Sequence, residues 1–118
     1  MATALSKTPL GHNRTTYYGT GAVAIDHTIT HVAPTFYLTE LKIHCSAAGG
    51  AGNLTITLDS ILGAVYDAVL LTQDMTSIAD LLWQPTRPIL LSQGDILTVA
   101  WANAGTKTWG LLATIEGV

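Results

Sequence analysis

Asn53-Leu54-Thr55-Ile56-Thr57-Leu58-Asp59 is the stretch on which the fold turns. Apolar and polar residues alternate along it without a break. An extended chain therefore gathers Leu54, Ile56 and Leu58 on one face and Thr55, Thr57 and Asp59 on the other. A helix would place Ile56 opposite Leu54 and Leu58, so the pattern is that of a strand with one face on a core. The preceding Ala47-Ala48-Gly49-Gly50-Ala51-Gly52 reads as a flexible connection from an earlier strand.

The same signal repeats outward in both directions. Thr35 to Ser46 carries Tyr37, Leu41, Ile43 and Cys45 at odd positions, and Ala22 to His31 sets Val23, Ile25, His27 and Ile29 against Ala24, Asp26, Thr28 and Thr30. Ala33-Pro34 separates the two, since proline removes a ladder donor. Ala64 to Thr72 and Ile78 to Trp83 are more continuously apolar, the pattern of strands covered on both faces. Pro88 to Leu91, Asp95 to Asn103 and Lys107 to Glu116 follow, with Ser92-Gln93-Gly94-Asp95 and Asn103-Ala104-Gly105-Thr106 as turns. Gln73 to Leu82 has room for a helical turn, but no stretch shows a capped 3.6-residue stripe. The expected fold is all-β: a two-sheet, jelly-roll-like β-sandwich of about eight strands over residues 21–118. Its core is expected to hold Leu54, Ile56, Leu58, Ile96 or Leu97, Val99, Leu111 or Leu112, and Ile115.

Residues 1–20 differ from the rest. Pro9, Gly11, Asn13 and Gly19 interrupt them and no apolar alternation runs through. They are expected to form an extended N-terminal arm lying on a neighbouring subunit, with Leu5, Leu10, Tyr17 and Tyr18 as anchors and Arg14 as the charged contact.

Composition sets further limits. A chain of 118 residues is one domain, large enough to bury a core without covalent staples. The single Cys45 cannot form an intrachain disulfide and reads as a small buried apolar residue. Charged residues make up 11% of the chain, against about 25% in an average protein. The hydrophobic share is 48% and mean hydropathy is +0.38. No run approaches the roughly 20 apolar residues of a membrane helix, and the opening decapeptide lacks the basic and apolar regions of a signal peptide. No membrane partner is expected. Net charge is −3 and the five basic residues are scattered, so there is no basic patch for nucleic acid. A polar surface made of Thr, Asn, Gln and Ser loses little when covered, which favours lasting protein contact.

No motif for chemistry emerges. The Gly49–Gly52 loop lacks the Lys-Ser/Thr ending of a phosphate loop and leads into a strand, so it reads as a hairpin connection. His27 and His31 could share a strand face, but no acidic or cysteine partner follows at ligand spacing. His12 falls in the arm and His44 in a strand, and all four histidines read as surface or interface residues. There is no Gly-x-Ser-x-Gly elbow, and Asp26, Asp59, Asp67, Asp74, Asp80 and Asp95 are spread one to an element. The expectation is a non-enzyme with no cofactor and no metal. Trp83, Trp101 and Trp109 could stack on sugars if exposed, but large rings are most valuable where water is excluded. Trp101 and Trp109 flank a hairpin turn and are taken as core or interface residues.

From Phe36 onward the chain resembles the jelly-roll decoration (cement) proteins of tailed bacteriophages. The resemblance rests on Leu38-Thr39-Glu40-Leu41-Lys42-Ile43, on the glycine-rich loop followed by Leu54-Thr55-Ile56-Thr57-Leu58-Asp59, and on Ser92-Gln93-Gly94-Asp95 before an apolar strand. It implies a virion structural protein on the capsid exterior, made in the host cytoplasm. Its partners would be the major capsid protein and neighbouring copies of itself, as a homo-oligomer within the larger assembly. Other readings are a head fibre base, collar or tail component, or a carbohydrate-binding β-sandwich module.

Overall fold

The computed structural model describes residues 3–11 and 13–117. Their strands are β1 (Thr3–Ala4), β2 (Ser6–Gly11), β3 (Arg14–Gly21), β4 (Ile25–Ile29), β5 (Thr35–Cys45), β6 (Asn53–Asp59), β7 (Ala68–Asp74), β8 (Asp80–Trp83), β9 (Ile89–Ser92), β10 (Ile96–Trp101) and β11 (Trp109–Gly117), with one 3-10 turn at Ala64–Tyr66. They form a two-sheet sandwich. The first sheet runs β1-β4-β10-β6-β7 and the second β2-β3-β11-β5, where β8 and β9 together line the far side of β5. Taking β8 and β9 as one strand interrupted by the Pro85 to Pro88 segment, the antiparallel pairs are β3 with β11, β4 with β10, β5 with β8 and β9, and β6 with β7. The pairs nest from the outermost strands inward, which is the rolled-up hairpin of a jelly roll. Among the described residues no helix is long and apolar enough to cross a membrane.

The core follows the alternation. Leu54, Ile56, Leu97, Val99, Leu111 and Ile115 are all exposed by 2% or less, and Leu58 is partly buried against them. Ile96 and Leu112 point the other way. Cys45 also lies in the core, where burial, helped by Asp80, pushes its thiol up from its ordinary value. This is the inert setting of a packing cysteine.

Three sequence expectations need correcting. First, within residues 3–20 there is no free arm. Thr3–Ala4 pairs in parallel with β4, β2 pairs with β3, and β3 pairs with β11 over its whole length. Leu5 is buried in the core. Residues 1, 2 and 12 lie outside the described residues. Second, Gly19 and Gly21 explain why β3 carries no apolar alternation. They occupy inward positions, where an added Cβ would come within 2.8 Å of Leu5 and 3.0 Å of Trp109. The space a side chain would fill belongs to those two residues. Third, β7 and β8 are not covered on both faces. They lie at the edges of their sheets, and Val69 and Leu82 face solvent.

Candidate functional site

Of the seven residues expected at an interface, four are packing residues of this chain. Leu5, Tyr17, Trp101 and Trp109 are exposed by 8%, 4%, 2% and 2%. Trp109 lies over Gly21, donates its indole N–H to the Val23 carbonyl at 2.8 Å and meets His27 edge-on. Trp101 is roofed by the glycine-rich loop, with Gly49 and Gly52 against its ring. Neither ring can stack on a ligand. Leu10, Tyr18 and Arg14 do reach the surface, where Arg14 makes a loose ion pair with Glu116 at 3.9 Å.

The histidines are used separately. The His27 ring hydrogen-bonds the Thr3 carbonyl at 3.1 Å, which ties β1 to β4, and His44 pairs with Asp80. His12 lies outside the described residues. His31 meets Tyr17 and Phe36 edge-on. Burial lowers the His31 imidazole from its usual 6.5, with Lys7 adding to the effect, and burial raises the Tyr17 phenol. The Tyr17 hydroxyl and His31 Nδ1 are hydrogen-bonded at 2.9 Å. Because the folded-state value of His31 is depressed, the unfolded chain takes up the imidazole proton first as pH falls. Stability should be full above about 6.5 and decline below it. Melting curves from about pH 7 to about pH 5 should show that decline, and His31→Gln should flatten it. An equally steep decline in the variant would assign the acid sensitivity to other groups.

The outer face of the second sheet can be read directly from the register. One row runs Thr20, Gly110, His44, Asp80; the next runs Tyr18, Leu112, Lys42, Leu82; a further row runs Arg14, Glu116, Tyr37, Leu90. Inward residues of the same strands fill the core, so alternation alone presents this mixed face to solvent. At Gly110 the row has no side chain, and nothing lies within 4 Å of where a Cβ would stand. The result is a groove of about 340 Å³ with Gly110 in its floor, between Leu82, Leu112 and the stem of Lys42 on one side and His44 and Asp80 at its end.

The second feature is a ridge between β6 and β7. Ile61, Leu62, Val65, Tyr66 and Val69 are all exposed, Val65 by 88%. The chain is held in place by polar groups beneath it. Asp95 accepts the N–H groups of Ile61 and Ser92, Asp67 accepts that of Ser60, and the Ser60 hydroxyl accepts that of Leu62. Gly63 takes a φ of 123°, open to glycine at little cost, and starts the 3-10 turn. With the turn held from below, its apolar side chains project outward. Sequence reasoning missed this site by reading Ala64 to Thr72 as one doubly covered strand. The available signal was Ser60 and Asp67 bracketing Gly63, which is turn chemistry rather than strand chemistry.

Among the described residues no group of three or more His, Cys, Asp or Glu side chains comes together to hold a metal ion. No family model matches the chain and no curated protein matches it. Three solved structures share its general shape. The nucleoplasmin-like N-terminal domain of Drosophila FKBP39 is 13% identical, with 93% of this chain and 96% of that one covered and a TM-score of 0.46. The Aeromonas hydrophila periplasmic inhibitor of g-type lysozyme is 12% identical, with coverage of 98% and 97% and a TM-score of 0.43. A family 16 carbohydrate-binding module is 10% identical, with coverage of 94% and 90% and a TM-score of 0.46. Likeness at this level carries no functional assignment.

Proposed function

We propose that this chain is a non-catalytic structural protein of a phage virion, a decoration protein that binds the outside of the major capsid shell and stabilises it beside copies of itself. The observation that carries this reading is the ridge. Five of the large apolar side chains left in solvent fall within nine residues, four on the turn that Asp67 and Asp95 hold and Val69 at the start of β7. Exposed apolar groups scattered singly need no explanation, but a contiguous set on a rigid support marks a contact surface. The low charge density of the chain supports the same reading, because little charge must be stripped of water when the surface is covered. Many modest contacts repeated over a symmetric shell give useful stabilisation without one tight bond.

The carbohydrate-binding alternative has less support. With Trp101 and Trp109 in the core and Trp83 packed against it, a sugar ring would have to stack on Tyr18, Tyr37 or Tyr66, no two of which share a row. Titrating the purified protein onto expanded heads of the phage that encodes it tests the reading. Saturable binding and greater resistance of the heads to heat are expected. Heads left bare at saturating protein, together with retention on a glycan column, would transfer the assignment to the sugar-binding class.

A further inference from the structure

Trp101 carries an unpaired donor inside the core. Its side chain is exposed by only 2%, and its indole Nε1 is the one buried side-chain nitrogen or oxygen among the described residues that has no hydrogen-bond partner. Trp109, the other core tryptophan, gives its N–H to the Val23 carbonyl. Buried tryptophans usually find such an acceptor. A donor buried without one loses its bond to water and gains nothing in return.

The glycine-rich connection between β5 and β6 is what covers this donor. A Cβ built on Gly52 would stand 3.7 Å from Nε1, and one on Gly49 would stand 3.1 Å from Cζ2, so the two glycines lie along the N–H edge of the ring. The cover is thinly attached. Ser46, Ala47, Ala48 and Ala51 are exposed and the residues between them are glycines, so the segment drives no side chain into the core. Backbone hydrogen bonds to the segment before β8 hold it in place. The Gly49 N–H donates to the Ile78 carbonyl at 2.9 Å, the Ser77 N–H to the Gly49 carbonyl at 3.2 Å, and the Met75 N–H to the Gly52 carbonyl at 3.0 Å. A segment held by backbone bonds without apolar packing opens locally at low cost. Those bonds are exchanged for bonds to water when it lifts, whereas the Trp101 N–H gains an acceptor that it lacks in the closed form.

We propose that residues 46–52 form a strap that opens and closes as a unit in the folded protein, poised to open by the unpaired indole N–H beneath it. Opening breaks the three bonds together, because Gly49 and Gly52 lie over the same ring edge. It admits water to that edge and uncovers Met75, which is fully buried and whose Cβ lies 3.3 Å from where a Gly49 Cβ would stand. Trp101 itself stays in place, since its backbone is fixed by pairing with Ile25 on β4. The end of the sandwich thus has a second shape, with an exposed donor beside an apolar side chain.

Hydrogen exchange followed by NMR on the full chain tests this. The Gly49, Met75 and Ser77 amides and the Trp101 indole N–H should share one degree of protection. That protection should be about a hundredfold weaker than at the Leu97 and Val99 amides of β10, which is paired on both sides. Replacing Trp101 by 3-benzothienylalanine, whose ring has the same shape with sulfur in place of the N–H, removes the donor and keeps the packing. It should slow exchange at the three strap amides about tenfold, and the same replacement at Trp109 should leave them unchanged. Strap amides that exchange only together with β10, or at protections unrelated to one another, would overturn the strap. Rates unaltered by the replacement at Trp101, or slowed equally by the one at Trp109, would overturn the part given to the indole N–H.

Discussion

Deleting residues 1–11 should lower the melting temperature of the isolated protein by many degrees. Those residues supply β1, which extends the first sheet beside β4, and β2, which extends the second beside β3. Between them Leu5 enters the core at 8% exposure, in the space that Gly19 leaves open. Truncating a buried leucine costs about 2–5 kcal/mol, a large share of the roughly 5–15 kcal/mol that holds a domain folded. The deletion removes that packing and uncovers one side of β3 as well. Leu5→Ala in the full chain isolates the packing part and should account for most of the loss. Thermal denaturation followed by circular dichroism measures both. An unchanged midpoint in the deletion would mean that the first strands dock only in an assembly.

Ile56→Ala should be comparably severe. Ile56 is fully buried at the middle of β6, beside Val99 on β10 and Leu71 on β7. Both neighbours are fixed by ladders, so the site has little freedom to collapse around a cavity, and the expected cost is about 2–5 kcal/mol. Thr57→Ala, one residue along and facing outward, should fall within about 0.5 kcal/mol of wild type. Chemical denaturation of the two variants side by side gives the contrast. Equal costs, or a larger one at Thr57, would mean that β6 is displaced by one residue.

The fold was legible wherever an inward position carries a large side chain and its neighbours do not. That holds for β6, where leucine and isoleucine alternate with threonine; in β10 and β11 the adjacent pairs Ile96-Leu97 and Leu111-Leu112 left the register open, and burial settles it on Leu97 and Leu111. It fails for β3, where Gly19 and Gly21 stand inward so that Leu5 and Trp109 can occupy their space. A residue absent to make room looks, in sequence, like the absence of a strand. The interaction surfaces were legible in part. Tyr18, Leu10 and Arg14 reach solvent, but tryptophan chemistry alone cannot separate a core ring from a docking ring, and Trp101 and Trp109 belong to the core. The apolar run from Ile61 to Leu71 shows hydrophobicity without showing where it faces. Only the turn at Ala64–Tyr66 and the place of β7 at a sheet edge reveal that residues 61–69 lie outside.

The position of β11 has a consequence for how the protein is made. It is the last strand of the domain to leave the ribosome, yet it lies at the centre of its sheet, hydrogen-bonded to β3 on one side and β5 on the other. Until it emerges, β3 and β5 have no common partner and the inner faces of both sheets remain open to water. With synthesis at about 5–20 residues per second, the nascent chain spends seconds with its hydrophobic strands uncovered. Folding must then proceed through pairings distant in sequence, which are slow to form. Chains stalled or clipped within residues 109–117 should therefore be cleared by proteases or aggregate, rather than accumulate as a slightly weakened domain.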